Sequence, residues 1–146
     1  MFRNILVPTD GSEQSQRAVQ CGIELAKLHG ARVTGIHVIP DYHLLIAYEG
    51  AFDPVTEERI EEEAKARAES YLGFVRKECG EAGVQCATIC ETSDHPYDAI
   101  LGTADSYGCD LIVMTSHGRK GLAAVLLGSE TRKVLTHAKV PVLVVR

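Results

Sequence analysis

Thr115-Ser-His-Gly118, nine further residues, and then Gly128-Ser129 carry the chemistry most legible in this chain. The segment follows the apolar run Leu111-Ile-Val-Met114, which reads as a buried strand, and precedes Glu130-Thr-Arg-Lys-Val-Leu135, which reads as a helix start. A glycine-bearing loop between the C-terminal end of a strand and a helix N-terminus suits phosphate. The first backbone N–H groups of the helix have no intrahelical partner, and its dipole favours an anion. Gly118 and Gly128 allow close backbone approach, and Ser129 adds a hydroxyl. The alternative reading is a structural turn that binds nothing.

Asp10, beside Gly11, falls just past another strand end. Its carboxylate suits ribose hydroxyls or a metal ion, or it caps the following helix together with Ser12. His117 has the chemistry of a general base, but the sequence places no Ser or Cys as its partner. There is no Walker loop and no metal-ligand cluster.

The elements that must position these residues alternate from end to end. Strands are expected at 3–8, 32–38, 85–91, 111–115 and 141–145, short and rich in Val, Ile and Leu like parallel strands covered on both faces. Helices are expected at 13–29, 55–82, from Pro96, and from about Ser129 to Thr136. The first would bury Ala18, Cys21, Gly22, Leu25 and Leu28. The second would bury Ile60, Ala64, Ala68, Tyr71, Leu72, Val75 and Cys79, and the third Tyr97, Ile100, Leu101, Ala104 and Tyr107. Five strands and four crossovers make a doubly wound α/β sheet in one domain, residues 1–146. Ligands then belong at the C-terminal strand ends, where the strand order reverses. Residues 39–54 are the main irregular stretch, apolar enough for a lid or a covered surface.

The 146 residues carry a net charge of −5 and a hydrophobic fraction of 45%, which fits a soluble domain and argues against a general nucleic-acid binder. Residues 116–139 hold Arg119, Lys120, Arg132, Lys133 and Lys139 against Glu130, so 5 − 1 = +4 falls on the proposed phosphate loop. No apolar run approaches the ~18–20 residues that span a bilayer, and the start lacks a signal-peptide layout, so a reducing cytoplasm is expected. Five cysteines without C-x-x-C spacing read mainly as small buried hydrophobes, with a redox or metal role as the alternative.

The loop resembles the nucleotide loop of the universal stress protein family, G-x-x-G, nine residues, G-S/T. The match holds when Thr115 takes the place of the first glycine; counting from Gly121 leaves only six residues before Gly128. Asn4-Ile-Leu-Val-Pro8 with Thr9-Asp10-Gly11-Ser12, Gly35-Ile-His-Val38 and Lys139-Val-Pro-Val-Leu-Val-Val-Arg146 resemble the family's first strand and loop, second strand and last strand. The resemblance implies the strand order 3-2-1-4-5, with the switch between strands 1 and 4. It implies that Pro8, Thr9, Asp10 and Val38 line an adenine and ribose pocket. Thr115, Gly118, Gly128, Ser129 and Thr131 would approach ribose and phosphates, with Met114, Arg119 and Glu130 adjacent. The implied ligand is ATP, or AMP or ADP, with Mg²⁺, and the implied assembly is a homodimer through Val142–Val145. The function expected is that of a stress-response regulator that signals to a protein partner, with at most slow ATP hydrolysis. The alternatives are a dimeric interaction module that has lost the nucleotide, for which Thr115 argues, and an adenylating enzyme, whose pyrophosphatase loop the segment Thr9–Ser12 lacks.

Overall fold

The computed structural model describes residues 1–42, 54–117 and 127–146. The apolar stretch considered as a lid thus lies mostly outside the described residues, as do Gly118, Arg119, Lys120 and Gly121. Within them the order is β1 (Asn4–Pro8), α1 (Glu13–His29), β2 (Arg32–Ile39), α2 (Pro54–Ala82), β3 (Cys86–Thr92), α3 (Pro96–Tyr107), β4 (Leu111–Thr115), α4 (Ser129–His137) and β5 (Val142–Val145). The five strands form one sheet in the order β3-β2-β1-β4-β5, with every neighbouring pair parallel. The expected elements are present, with no stated bound moved by more than one residue.

Alternation along the central strands sorts the core into two layers. Ile5, Val7, Val33 and Val113 meet Val19, Ile23 and Ala26 of α1 and Val75 of α2 on one face. Leu6, Ile36, Ile112 and Met114 meet Ile100 and Ala104 of α3 and Val134 of α4 on the other. Ile5, Leu6 and Val7 are wholly buried, which is why β1 reads as an unbroken apolar run.

The buried face of α1 differs from the expected one. Ser15, Ala18, Val19, Gly22, Ile23 and Ala26 point inward, while Leu28 is 82% exposed and Cys21 and Leu25 are only partly covered. The cause is the line of small residues Ala18, Gly22 and Ala26. A β-carbon at Gly22 would lie 2.5 Å from Val7 Cγ1. The helix backbone therefore rests directly on the sheet, and the larger leucines roll to its flank. In α3 likewise, Ala99, Ile100, Thr103 and Ala104 are buried and Tyr107 is exposed.

The sheet is tied at one end and open at the other. The Asp110 carboxylate, just before β4, accepts the backbone N–H groups of Arg3 (2.9 Å) and Asn4 (3.1 Å) at the start of β1. Pairing of β1 with β4 runs through Ile5–Leu111 and Leu6–Ile112. β1 pairs with β2 as far as Pro8–Ile36, and β4 with β5 as far as Thr115–Val145. The two central strands thus part company toward their C-terminal ends. That is where the crossovers change direction, and where a doubly wound sheet opens a crevice.

Candidate functional site

A cavity of about 220 Å³ fills this opening. Eight of the residues proposed from the sequence line it: Pro8, Thr9 and Asp10 from the end of β1, Val38 from β2, Met114 and Thr115 from β4, and Glu130 and Thr131 from α4. Ser15, His37, Pro96 and Ile100 line it as well and were missed. Their signal was positional. His37 lies next to Val38 near the C-terminal end of β2, and Ser15 and Pro96 sit in the first turns of helices that follow strands, the end of the sheet on which such crevices lie.

The β1–α1 loop is held by its own polar atoms. Thr9 N–H extends the ladder to Ile36 O at 2.9 Å, and Thr9 Oγ1 lies 3.1 Å from Ser15 Oγ and accepts Gly11 N–H at 3.2 Å. Asp10 Oδ1 accepts Ser12 N–H at 2.9 Å, and Ser12 caps α1 by accepting Ser15 N–H at 3.2 Å. Asp10 is therefore oriented by the helix cap and still lines the cavity, so its two suggested roles are compatible. His37 Nδ1 lies 2.8 Å from Thr9 O. A carbonyl only accepts, so that nitrogen carries a hydrogen.

The opposite wall is built by α4. Thr131 Oγ1 donates to Thr115 O at 3.0 Å, and Gly128 N–H donates to Ser116 O at 2.8 Å. Gly128 is the N-cap residue, has φ −56°, and offers no side-chain cap. Its glycine identity therefore answers no positive φ. It answers proximity, because a β-carbon there would come 3.2 Å from Ser116 O and 3.5 Å from His117 Cα. Ser129 follows as the exposed first residue of α4 and does not line the cavity. Thr115 is nearly buried on the wall, and its Oγ1 faces His117 N–H at 3.4 Å.

Glu130 has a structural partner. Its Oε2 accepts Tyr97 N–H at 2.9 Å in the first turn of α3, whose own N-cap residue, His95, makes no side-chain cap bond. Its Oε1 accepts from Lys133 Nζ at 2.9 Å. The carboxylate thus braces α3 against α4 at the rim of the cavity. Ser15 of α1, Pro96 of α3 and Glu130 and Thr131 of α4 bring three helix N-termini to the cavity. Each presents the positive end of its dipole.

Among the described residues, the basic side chains of this local excess are held by other groups. Lys133 pairs with Glu130 and stands 5.2 Å over the Tyr97 ring, Lys139 pairs with Asp105 at 3.3 Å, and Arg132 Nη2 reaches Leu127 O at 3.5 Å. Nearby acceptors claim them first. His117 does find a serine, its neighbour: Ser116 Oγ lies 2.9 Å from His117 Nδ1. Yet Ser116 is nearly buried and His117 Nε2 is buried without a hydrogen-bond partner among the described residues, none of which orients the pair for nucleophilic work. No group of three His, Cys, Asp or Glu side chains is placed for a metal ion among the described residues.

The cavity thus combines apolar residues, Val38, Ile100 and Met114, with polar ones, Thr9, Asp10 and Thr131, and with the helix ends. Such a site takes a flat apolar group with an anionic tail.

The sequence profile of the universal stress protein family matches residues 1–146. A universal stress protein of Thermus aquaticus is 34% identical over 149 residues, covering all of both chains. The solved structure of protein MJ0577, from Methanocaldococcus jannaschii, superposes with a TM-score of 0.79 at 32% identity, covering 99% of this chain and 96% of that one. A universal stress protein solved in complex with cAMP superposes with a TM-score of 0.61 at 26% identity, covering 99% and 97%.

Proposed function

This chain belongs to the universal stress protein family, and from that premise we propose that it is a regulatory protein that binds an adenine nucleotide in the crevice between β1 and β4. The observation that carries the reading is the cavity itself, lined by the ends of β1, β2 and β4 and faced by three helix N-termini. Val38, Ile100 and Met114 would hold the base. Thr9 and Asp10 would meet the ribose hydroxyls. Gly128, Ser129 and Thr131 at the start of α4, with Gly118 and Arg119 of the preceding loop, would receive the phosphates of ATP, AMP or ADP. The relative solved with cAMP supports an adenine ligand. Mg²⁺ would rest mainly on phosphate oxygens and water, because no group of three His, Cys, Asp or Glu side chains is placed for a metal ion among the described residues. Its chemistry there is charge neutralisation.

Signalling would follow from a bound nucleotide changing the surface offered to a protein partner in the cytoplasm. Hydrolysis, where it occurs, would be slow, since no described residue is arranged to activate water. The assembly would be a homodimer through Val142–Val145, the strand at the sheet edge.

One observation favours a second reading. Thr115 places a side chain on the cavity wall where the family's nucleotide loop has glycine. A dimeric interaction module without nucleotide would tolerate it. Calorimetry with ATP, AMP and cAMP, with and without Mg²⁺, separates the two. Saturable heat and a thermal shift support nucleotide binding; neither at millimolar ligand leaves the interaction module.

A further inference from the structure

Hydroxyl hydrogens are committed in one direction where β1 meets α1. Ser15, buried on α1, has its Oγ 2.9 Å from Ser12 O. That carbonyl also accepts Gln16 N–H at 3.0 Å, and with two lone pairs it serves both. A carbonyl has no hydrogen to offer, so the single hydrogen of the Ser15 hydroxyl is spent on it. Thr9 Oγ1 lies 3.1 Å from Ser15 Oγ. Ser15 has only lone pairs left for that contact, so Thr9 is the donor and its hydrogen is spent as well. The relay runs from Thr9 through Ser15 to the backbone of the helix cap.

Neighbouring backbone donors are claimed too. Thr9 N–H goes to Ile36 O at 2.9 Å, and Gly11 N–H to Thr9 Oγ1 at 3.2 Å. Ser12 N–H goes to Asp10 Oδ1 at 2.9 Å, and Ser15 N–H to Ser12 Oγ at 3.2 Å. Thr9, Asp10 and Ser15 all line the cavity. Asp10, as a carboxylate, accepts only. Any hydrogen bond that these three side chains share with a ligand must therefore be donated by the ligand. Phosphate oxygens would bring lone pairs to lone pairs. A sugar diol brings two hydrogens.

We propose that Ser15 is a positioning residue that holds the Thr9 hydroxyl as an acceptor, and that this corner of the cavity thereby selects a ribonucleotide over its 2′-deoxy and 3′-deoxy counterparts. The inference rests on the adenine-nucleotide reading above and adds the sugar to it. Asp10 and Thr9 would receive the two ribose hydroxyls, and Ser15 would act through Thr9. A ligand lacking one hydroxyl leaves an acceptor desolvated and unpaired, and that loss sets the discrimination.

Calorimetry with AMP, 2′-deoxy-AMP and 3′-deoxy-AMP tests it on the intact protein. The wild-type protein should bind AMP more tightly than either deoxy analogue, by roughly tenfold or more, the effect of one buried acceptor left unpaired. Ser15→Ala keeps a good helix former at the site and frees the Thr9 hydrogen, so it should narrow that ratio by about threefold or more. A merely structural role would weaken all three ligands alike and leave the ratio unmoved. In Thr9→Val the relay has lost its first hydroxyl, and adding Ser15→Ala should change the ratio no further. Circular dichroism confirms the fold of each variant, and should Ser15→Ala not fold, the wild-type ratio still decides. Absence of AMP binding would remove the nucleotide reading and this inference with it. Bound AMP with equal affinity for both deoxy analogues overturns this inference alone. So does a ratio unchanged in folded Ser15→Ala, or one that Ser15→Ala narrows equally in the Thr9→Val background.

Discussion

The ring of Tyr71, on α2, occupies the space that a β-carbon on Gly11 would need. Gly11 has φ 77°, a conformation that side chains rarely adopt. Tyr71 also packs edge-on against His37, ring centres 5.1 Å apart, and His37 in turn holds Thr9 O. The loop carrying Asp10 is thereby locked to two other elements before any ligand arrives, which is the pre-organisation that binding favours.

Gly11→Ala should therefore destabilise the fold by roughly 1–3 kcal/mol, from backbone strain together with overlap on the ring. In a Tyr71→Ala background the overlap part disappears and only the strain remains, so the cost should shrink. Urea denaturation of the four proteins gives the coupling directly. An equal cost in both backgrounds would show that the ring does not bear on the glycine.

Thr115→Gly tests the departure in the nucleotide loop. Thr115 lines the cavity, and its backbone carbonyl holds Thr131. Removing the side chain should strengthen nucleotide binding on the order of tenfold, about 1.4 kcal/mol. Glycine in a strand should cost some stability, about 0.5–1 kcal/mol. An unchanged dissociation constant in calorimetry would mean that the side chain stands clear of the ligand.

Gly128→Val should weaken nucleotide binding at least about tenfold, the 1.4 kcal/mol step in affinity, and leave the circular dichroism spectrum of the fold intact. The branched side chain would press on Ser116 O, already 3.2 Å from a β-carbon at that position, and push the start of α4 away from the cavity. A well-folded variant with wild-type affinity would remove α4 from the phosphate site.

Much of the architecture was legible because Ile5, Leu6 and Val7 make an unbroken apolar run in the central strand, and because Pro96 and Gly30 punctuate helices by fixed rules. The face of α1 was not. Leu25 and Leu28 dominate a hydrophobic pattern, but Ala18, Gly22 and Ala26 decide how near the helix comes to the sheet, and absence of bulk leaves a weak trace in sequence. The cavity divides in the same way. Thr9, Asp10, Val38 and Thr115 are strand-end residues and could be read locally. Ile100 and Ser15 arrive from helices whose rotation about the sheet is a tertiary fact. Lys133 and Lys139 counted toward a positive charge around the proposed phosphate loop, but Glu130 and Asp105 hold them, a pairing across helix turns and elements that composition does not show. Gly128 was needed for closeness to Ser116, a contact across a loop, and not for its dihedral angle.

The homodimer yields the last prediction. β5 lies at the sheet edge beside β4, and its residues divide by face. Val142 packs on the α3–α4 side and Val145 on the α1–α2 side, whereas Leu143 is 39% exposed. An open apolar edge strand invites a second copy, and a two-fold axis would pair it antiparallel with itself. Leu143→Lys is accordingly the informative change, since it removes little from the core and places a charge beside the proposed partner. The wild-type protein should sediment as a dimer at tens of micromolar and the variant as a folded monomer, with circular dichroism confirming the fold. A wild-type monomer at that concentration would defeat the dimer outright. A folded variant that stayed dimeric would move the interface away from β5.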